Sequence, residues 1–111
     1  MIDRAQILKG LLEGCILEII SHCETYGYKI TETLNDFGFT NVNEGSVYPV
    51  LIRLHNKKFV RSETKSSPLG PKRRYFTTTN LGNDFLNSFK KEWEDVSKIV
   101  TDIFKGGKQL C

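Results

Sequence analysis

The chain has 111 residues, of which 39% are hydrophobic and 26% charged, and its net charge is +3. That is the length of one domain, with enough apolar material for a core, so global disorder is excluded. No run of about 18 apolar residues occurs and Met1-Ile2-Asp3-Arg4 lacks the basic start of a signal peptide, so a cytoplasmic protein with no membrane partner is expected.

The apolar spacing predicts a first helix over residues 5–22, where Leu8, Leu11, Leu12, Cys15, Ile16, Ile19 and Ile20 recur three and four apart. Its stripe is wide, which suits a helix buried on more than one side. Tyr26-Gly27-Tyr28 interrupts the pattern. A shorter second helix carries Ile30, Leu34 and Phe37, and Gly38 suits the position that ends it. Residues 39–42 read as a turn. A third helix buries Val47, Leu51 and Leu54. Two starts fit it. Asn43 is a good cap, with Glu44 in the first turn, but then Pro49 lies inside the helix. A start at Ser46 puts Pro49 in the first turn, where no N–H is needed.

The period then changes. Residues 59–64 and 73–77 read as strands, and Ser66-Ser67-Pro68-Leu69-Gly70-Pro71 between them is turn chemistry, which makes a hairpin. A long helix over about 79–104 follows, with Leu81, Phe85, Leu86, Phe89, Trp93, Val96, Val100, Ile103 and Phe104 at helical spacing. Thr79 or Asn80 can cap it, and Gly106-Gly107 ends it. The expected fold is mostly α with a β-hairpin: a winged helix-turn-helix followed by a long C-terminal dimerisation helix. Residues 1–78 would form the DNA-binding part, and residues 79–111 the dimerisation helix and a short tail.

Charge is unevenly distributed. From Arg53 to Arg74 stand eight Lys/Arg and one acid, Glu63; that segment carries +7 and leaves −4 for the rest of the chain. Such a segment suits a polyanion, here double-stranded DNA. Ser46 and Tyr48 lie near the N-terminus of the third helix, where backbone dipoles favour phosphate, and Arg53 suits a guanine or a phosphate. Tyr48 also reads as a packed core aromatic. Lys72-Arg73-Arg74 opens the returning strand of the hairpin, and alternation sends Arg73 to one face and Lys72 and Arg74 to the other.

Three ordered motifs carry a family resemblance. They are Tyr26-Gly27-Tyr28-Lys29-Ile30, then Gly45-Ser46-Val47-Tyr48-Pro49-Val50-Leu51-Ile52-Arg53-Leu54, then Gly70-Pro71-Lys72-Arg73-Arg74-Tyr75-Phe76 with Thr79-Asn80-Leu81-Gly82. Over nearly its whole length the chain resembles the small form of the PadR family of bacterial transcriptional regulators. The resemblance implies a cytoplasmic homodimer, usually a repressor, with DNA contacts at Tyr26, Lys29, Ser46, Tyr48, Pro49, Arg53, Lys72, Arg73 and Arg74. It implies a dimer interface along Leu81, Phe85, Phe89, Trp93, Val96, Val100 and Ile103. In multidrug-sensing members, which this last helix resembles, a tryptophan placed like Trp93 lines a pore between subunits. By that likeness a planar aromatic effector would meet Leu86, Phe89, Trp93 and Ser97, faced by Leu12, Cys15 and Ile16. The plainer reading makes Trp93 an interface anchor.

Enzyme and metal chemistry find no support in the residues. His22 and His55 are far apart, and no phosphate-loop, nucleophile-elbow or zinc motif occurs. Neither a cofactor nor a metal is expected. Cys15, Cys23 and Cys111 make an odd number, too few for a disulfide framework, and Cys111 at the chain end is expected to be disordered. The alternative of another class is a winged-helix protein-interaction module that reads no DNA sequence.

Overall fold

The computed structural model describes residues 4–110; Met1–Asp3 and Cys111 lie outside it, and with them the expectations for the leader and for Cys111. The elements are α1 (Arg4–Leu8), α2 (Leu12–His22), β1 (Thr25–Tyr26), α3 (Gly27–Phe37), α4 (Glu44–Asn56), β2 (Val60–Ser67), β3 (Gly70–Thr78) and α5 (Asn80–Gly106), with a closing 3-10 turn, Gly107–Leu110. The three strands form one antiparallel sheet in the order β1-β3-β2. This is the expected helix-turn-helix with a winged hairpin and a long last helix.

The first expected helix is two. Gly10 takes φ 136°, a backbone conformation glycine adopts freely, and the chain turns there between α1 and α2. The apolar spacing runs across the break, so periodicity alone did not reveal it. α2 then buries Ile16, Leu17 and Ile20, the centre of a core to which α3 adds Ile30 and Leu34. α4 adds Val47, Val50, Leu51 and Leu54, the sheet Val60 and Phe76, and α5 Leu86.

Asn35 fastens the turn between α3 and α4. Its side-chain amide donates to the carbonyls of Phe39 at 2.7 Å and Val42 at 2.9 Å, while Gly38, at φ 124°, closes α3. Asn43 decides the start of α4, because its side-chain oxygen accepts from the Ser46 N–H at 3.1 Å. Pro49 therefore lies inside α4. The carbonyl it leaves without an N–H partner is that of Gly45, in an exposed turn that water reaches.

Pairing in the hairpin runs further toward its tip than the turn residues suggest. Ser67 pairs with Gly70, so only Pro68 and Leu69 make the loop, and a bulge on β3, where Pro71 and Lys72 stand opposite Ser66, takes up the extra residue. β1 was not foreseen. Two residues are too few to show a period, yet Thr25 pairs with Phe76 and Tyr26 with Tyr75, closing the sheet on one side.

The junction of α4, hairpin and α5 is tight. Lys58 sits at φ 65°, and the Phe59 N–H reaches back to the Leu54 carbonyl, ending α4. The Thr79 hydroxyl donates to the Lys58 carbonyl at 2.7 Å and accepts from the Gly82 N–H at 3.0 Å, which caps α5. Gly82 lies against the Phe59 carbonyl so closely that a Cβ would overlap it. Gly14 on α2 has the same relation to the Phe89 ring. Gly82→Ala and Gly14→Ala are each expected to destabilise by about 1–3 kcal/mol. Gly82→Ala costs more, because its obstacle is backbone; urea denaturation of the two variants checks the order.

Candidate nucleic-acid interface

α4 turns Val47, Val50, Leu51 and Leu54 inward and leaves Ser46, Tyr48, Pro49 and Arg53 exposed. Tyr48 is 47% exposed, so it is not a core aromatic. The wing follows α4 in the chain. Tyr26, Tyr75, Arg73 and Lys65 share its outer face by register, and Arg74 shares the side on which Phe76 enters the core. Arg73 lies over the Tyr26 ring at 4.3 Å, and Tyr26 meets Tyr75 edge-on at 5.5 Å. This stack ties the wing to β1 and so to the start of α3.

Opposite charges sort the cations. Lys57 pairs with Glu13 at 3.0 Å and Lys65 with Glu24 at 2.7 Å, a bond that raises the Lys65 pKa. Lys29 pairs with Glu32 within α3 at 2.9 Å, and Tyr26 is half-covered by Arg73. Among the described residues Arg53, Lys58, Arg61, Lys72, Arg73 and Arg74 make no ion pair; Arg73 and Arg74 are half-buried and the others exposed.

α5 is about 40 Å long, and only its first turns enter the core: Gly82 and Leu86 are buried, and Phe85 stacks on Phe59 at 4.5 Å. Beyond Phe89 the helix carries exposed Trp93, Val96, Ile99, Val100, Ile103 and Phe104, the last 82% exposed. Leu81, in the first turn, is exposed as well. The chain's accessible surface is 8075 Å² for 12.7 kDa, against about 6,200 Å² for a compact monomer of that mass.

Two open grooves flank Trp93. One, of about 690 Å³, runs between Ile7 and Leu11 and the α5 residues Phe89, Val96, Ser97 and Val100. The other, of about 350 Å³, is lined by Cys15, Ile19, Phe37, Phe39, Leu86 and Phe89. Two residues expected there lie elsewhere: Ile16 is wholly buried in the core, because α2 needs it against the other helices, and Leu12 faces α4. Partial burial pushes the Cys15 thiol pKa up, so it acts as an apolar wall.

Among the described residues no helix is long and apolar enough to cross a membrane, and no three His, Cys, Asp or Glu side chains cluster as a metal site. A family model, the transcriptional regulator PadR-like family, matches residues 16–88, which span α2 through the first turns of α5. The chain belongs to the PadR-like family. A PadR-like transcriptional regulator from Bacillus cereus has a similar structure, with 48% identity, a TM-score of 0.81, and 91% of this chain and 98% of that one covered. A Streptococcus transcriptional regulator is 39% identical, with a TM-score of 0.79 over 88% of this chain and 96% of that one. An uncharacterized protein of Lysinibacillus sphaericus is 33% identical over 109 residues, which cover 94% of this chain and 96% of the relative. The family's members are transcriptional regulators, and this PadR-like chain keeps their winged-helix fold.

Between α2 and α5, Glu18 pairs with Lys90 and takes a hydrogen bond with His22 at 2.5 Å. Lys90 is the main cause that lowers the Glu18 pKa below the ordinary carboxylate value. A carboxyl depressed in the folded state stabilises fully above its unfolded pKa, and the contribution disappears as pH falls through the lowered value. The melting temperature is therefore expected to drop on acidification below about pH 5, and to drop less steeply in Lys90→Met. Thermal melts of both proteins across that range check it.

Proposed function

We propose that this PadR-like chain is a cytoplasmic homodimeric repressor that binds operator DNA through α4 and the wing. The observation that carries the reading is that α4 exposes Ser46, Tyr48, Pro49 and Arg53 while the wing that follows it carries Lys72, Arg73 and Arg74, which make no ion pair among the described residues. α4 reads the major groove, and the wing holds the phosphate backbone. Tyr26 acts through Arg73, which it positions, and Lys29 adds a phosphate contact at the mouth of α3.

Dimerisation follows from the last helix. Residues 1–78 make the DNA-reading unit, and residues 79–111 bring two copies together along Leu81, Phe85, Phe89, Trp93, Val96, Val100 and Ile103. Each large apolar side chain taken out of water there contributes about 1.5–3 kcal/mol. The surface in excess of a compact monomer, about 1,800 Å², is ample for one partner's share of an interface. Two α4 helices must then stand about 34 Å apart to enter successive major grooves.

A planar aromatic molecule seated against Trp93, between Phe89 and Ser97 on one side and Cys15 and Leu86 on the other, acts as the inducer. It releases DNA by binding more tightly to a dimer whose α4 helices are wrongly spaced.

Binding to DNA upstream of the chain's own gene, compared with scrambled DNA across a salt series, tests the core of this reading. Specific binding is expected, with log affinity falling steeply as log salt rises; Arg73→Ala flattens that slope by about one unit. Absence of binding at low salt would sink the reading and favour a protein-interaction module. Trp93 fluorescence should be quenched by 1-aminoanthracene, and the same compound should weaken operator binding. Independent binding of the two would remove the inducer from the account.

A further inference from the structure

A third cavity, of about 350 Å³, opens where the α1–α2 elbow faces α4. It shares only Gly10 with the wider groove beside Trp93, and no residue with the narrower one. Its wall is branched and aliphatic: Leu8, Leu12, Val42 and Val50, with no aromatic ring. At its mouth stand two exposed cations, Lys9 from the elbow and Arg53 from α4. One acid, Glu13, also reaches it, but Lys57 holds that carboxylate at 3.0 Å. Ser46 and Asn41 add a hydroxyl and an amide beside the cations.

A cavity with an aliphatic wall and two exposed cations on its rim takes an amphipathic anion. The geometry points to a binding site for a small aliphatic carboxylate between the α1–α2 elbow and α4, its chain on Leu8, Leu12, Val42 and Val50 and its headgroup on Arg53 and Lys9. Arg53 suits this role because its planar fork takes both carboxylate oxygens. The volume lies at the small end of ligand pockets, which fits a chain of roughly six to ten carbons. Planar aromatic molecules belong instead to the grooves beside Trp93, where rings line the wall.

The site has a consequence that rests on the DNA-binding reading above. Arg53 is on the DNA-facing side of α4, and a guanidinium engaged by a carboxylate is withdrawn from guanine or phosphate. The occupant therefore opposes DNA at the recognition helix itself, with no change in dimer spacing. Its position on the elbow also makes occupancy sensitive to Gly10, whose positive φ sets the angle of α1.

Octanoate is the probe, with octanol and octylammonium as controls, titrated into the full chain and followed by NMR. Octanoate is expected to shift the methyl signals of Leu8, Leu12, Val42 and Val50 and the Arg53 guanidinium signal. It should bind at least about tenfold more tightly than octanol, since only the carboxylate engages the cations. Lys9→Glu should weaken octanoate by about tenfold and leave operator affinity in its absence within about twofold. Leu12→Phe, which fills the cavity, should remove octanoate binding. With operator DNA present, octanoate should raise the Kd of the wild-type chain and have less effect on Lys9→Glu.

Equal affinity for octanol, shifts centred on Trp93, or no binding would each overturn the site. Should octanoate seat as described while the chain binds no DNA, the site stands and the DNA-binding reading fails. Should DNA bind specifically while octanoate leaves these signals unmoved, the site alone fails.

Discussion

Everything that α4 does depends on the junction that fixes it to α5. Thr79 uses one hydroxyl twice, donating to the Lys58 carbonyl at the exit of α4 and accepting from Gly82 at the start of α5. The Thr79 N–H also reaches the Phe59 carbonyl at 3.0 Å. Between these points the chain makes the whole hairpin and returns. The hairpin is thus a closed loop on a rigid base, and the base joins α4, proposed to read DNA, to α5, proposed to pair with a second subunit. A tilt of α5 has no slack to absorb it, since Gly82 already touches backbone where a Cβ would fit nowhere.

The far half of α5 is under the opposite constraint. Phe89 is the last residue to be pressed into the protomer, and it is admitted there because Gly14 has no side chain. From Trp93 onward the helix buries no large side chain among the described residues and meets Ile7 and Leu11 only across an open groove, although its apolar stripe continues to Phe104. A stripe of this kind would be costly to expose in a lone monomer. Its placement concentrates the unsatisfied apolar surface on one helix, with Trp93 at the boundary between the packed and the unpacked halves.

Much of this was legible in the chain itself, for physical reasons that also mark the limits. α5 was readable because its apolar period persists for about seven turns, and the wing because Pro and Gly punctuate two alternating runs. The break at Gly10 was not, because Leu8, Leu11 and Leu12 keep helical spacing across it and glycine's φ leaves no trace in a periodicity. β1 was too short to alternate, and only its pairing partners Tyr75 and Phe76, far along the chain, define it. Of the site, the residue types were visible and their partners were not. Sequence placed Tyr26, Lys29 and Arg73 together as DNA contacts; the fold lays Arg73 on Tyr26 and pairs Lys29 with Glu32. Asn35, which holds the turn before α4, gave no signal, because its two acceptors are backbone carbonyls.

The cations that sequence counts as one segment divide into two kinds in the fold. Lys57 and Lys65 are tied to Glu13 on α2 and Glu24 before β1, so they brace the helices and the wing. Exposed pairs of this sort are worth little individually in stability, but they set which charges remain for a ligand. With those two neutralised, the cations of the segment that make no ion pair among the described residues are Arg53, Lys58, Arg61, Lys72, Arg73 and Arg74. Glu13 has a further effect through the same bond. Its carboxylate lines the elbow cavity already paired with Lys57, while Arg53 at the same cavity makes no ion pair among the described residues. α2 is therefore a wall shared by two different environments: Leu12 and Glu13 face the aliphatic cavity beneath α4, and Cys15 and Ile19 face the aromatic groove beneath Trp93. An occupant of either cavity would touch the same helix, whose Ile16, Leu17 and Ile20 are buried in the core.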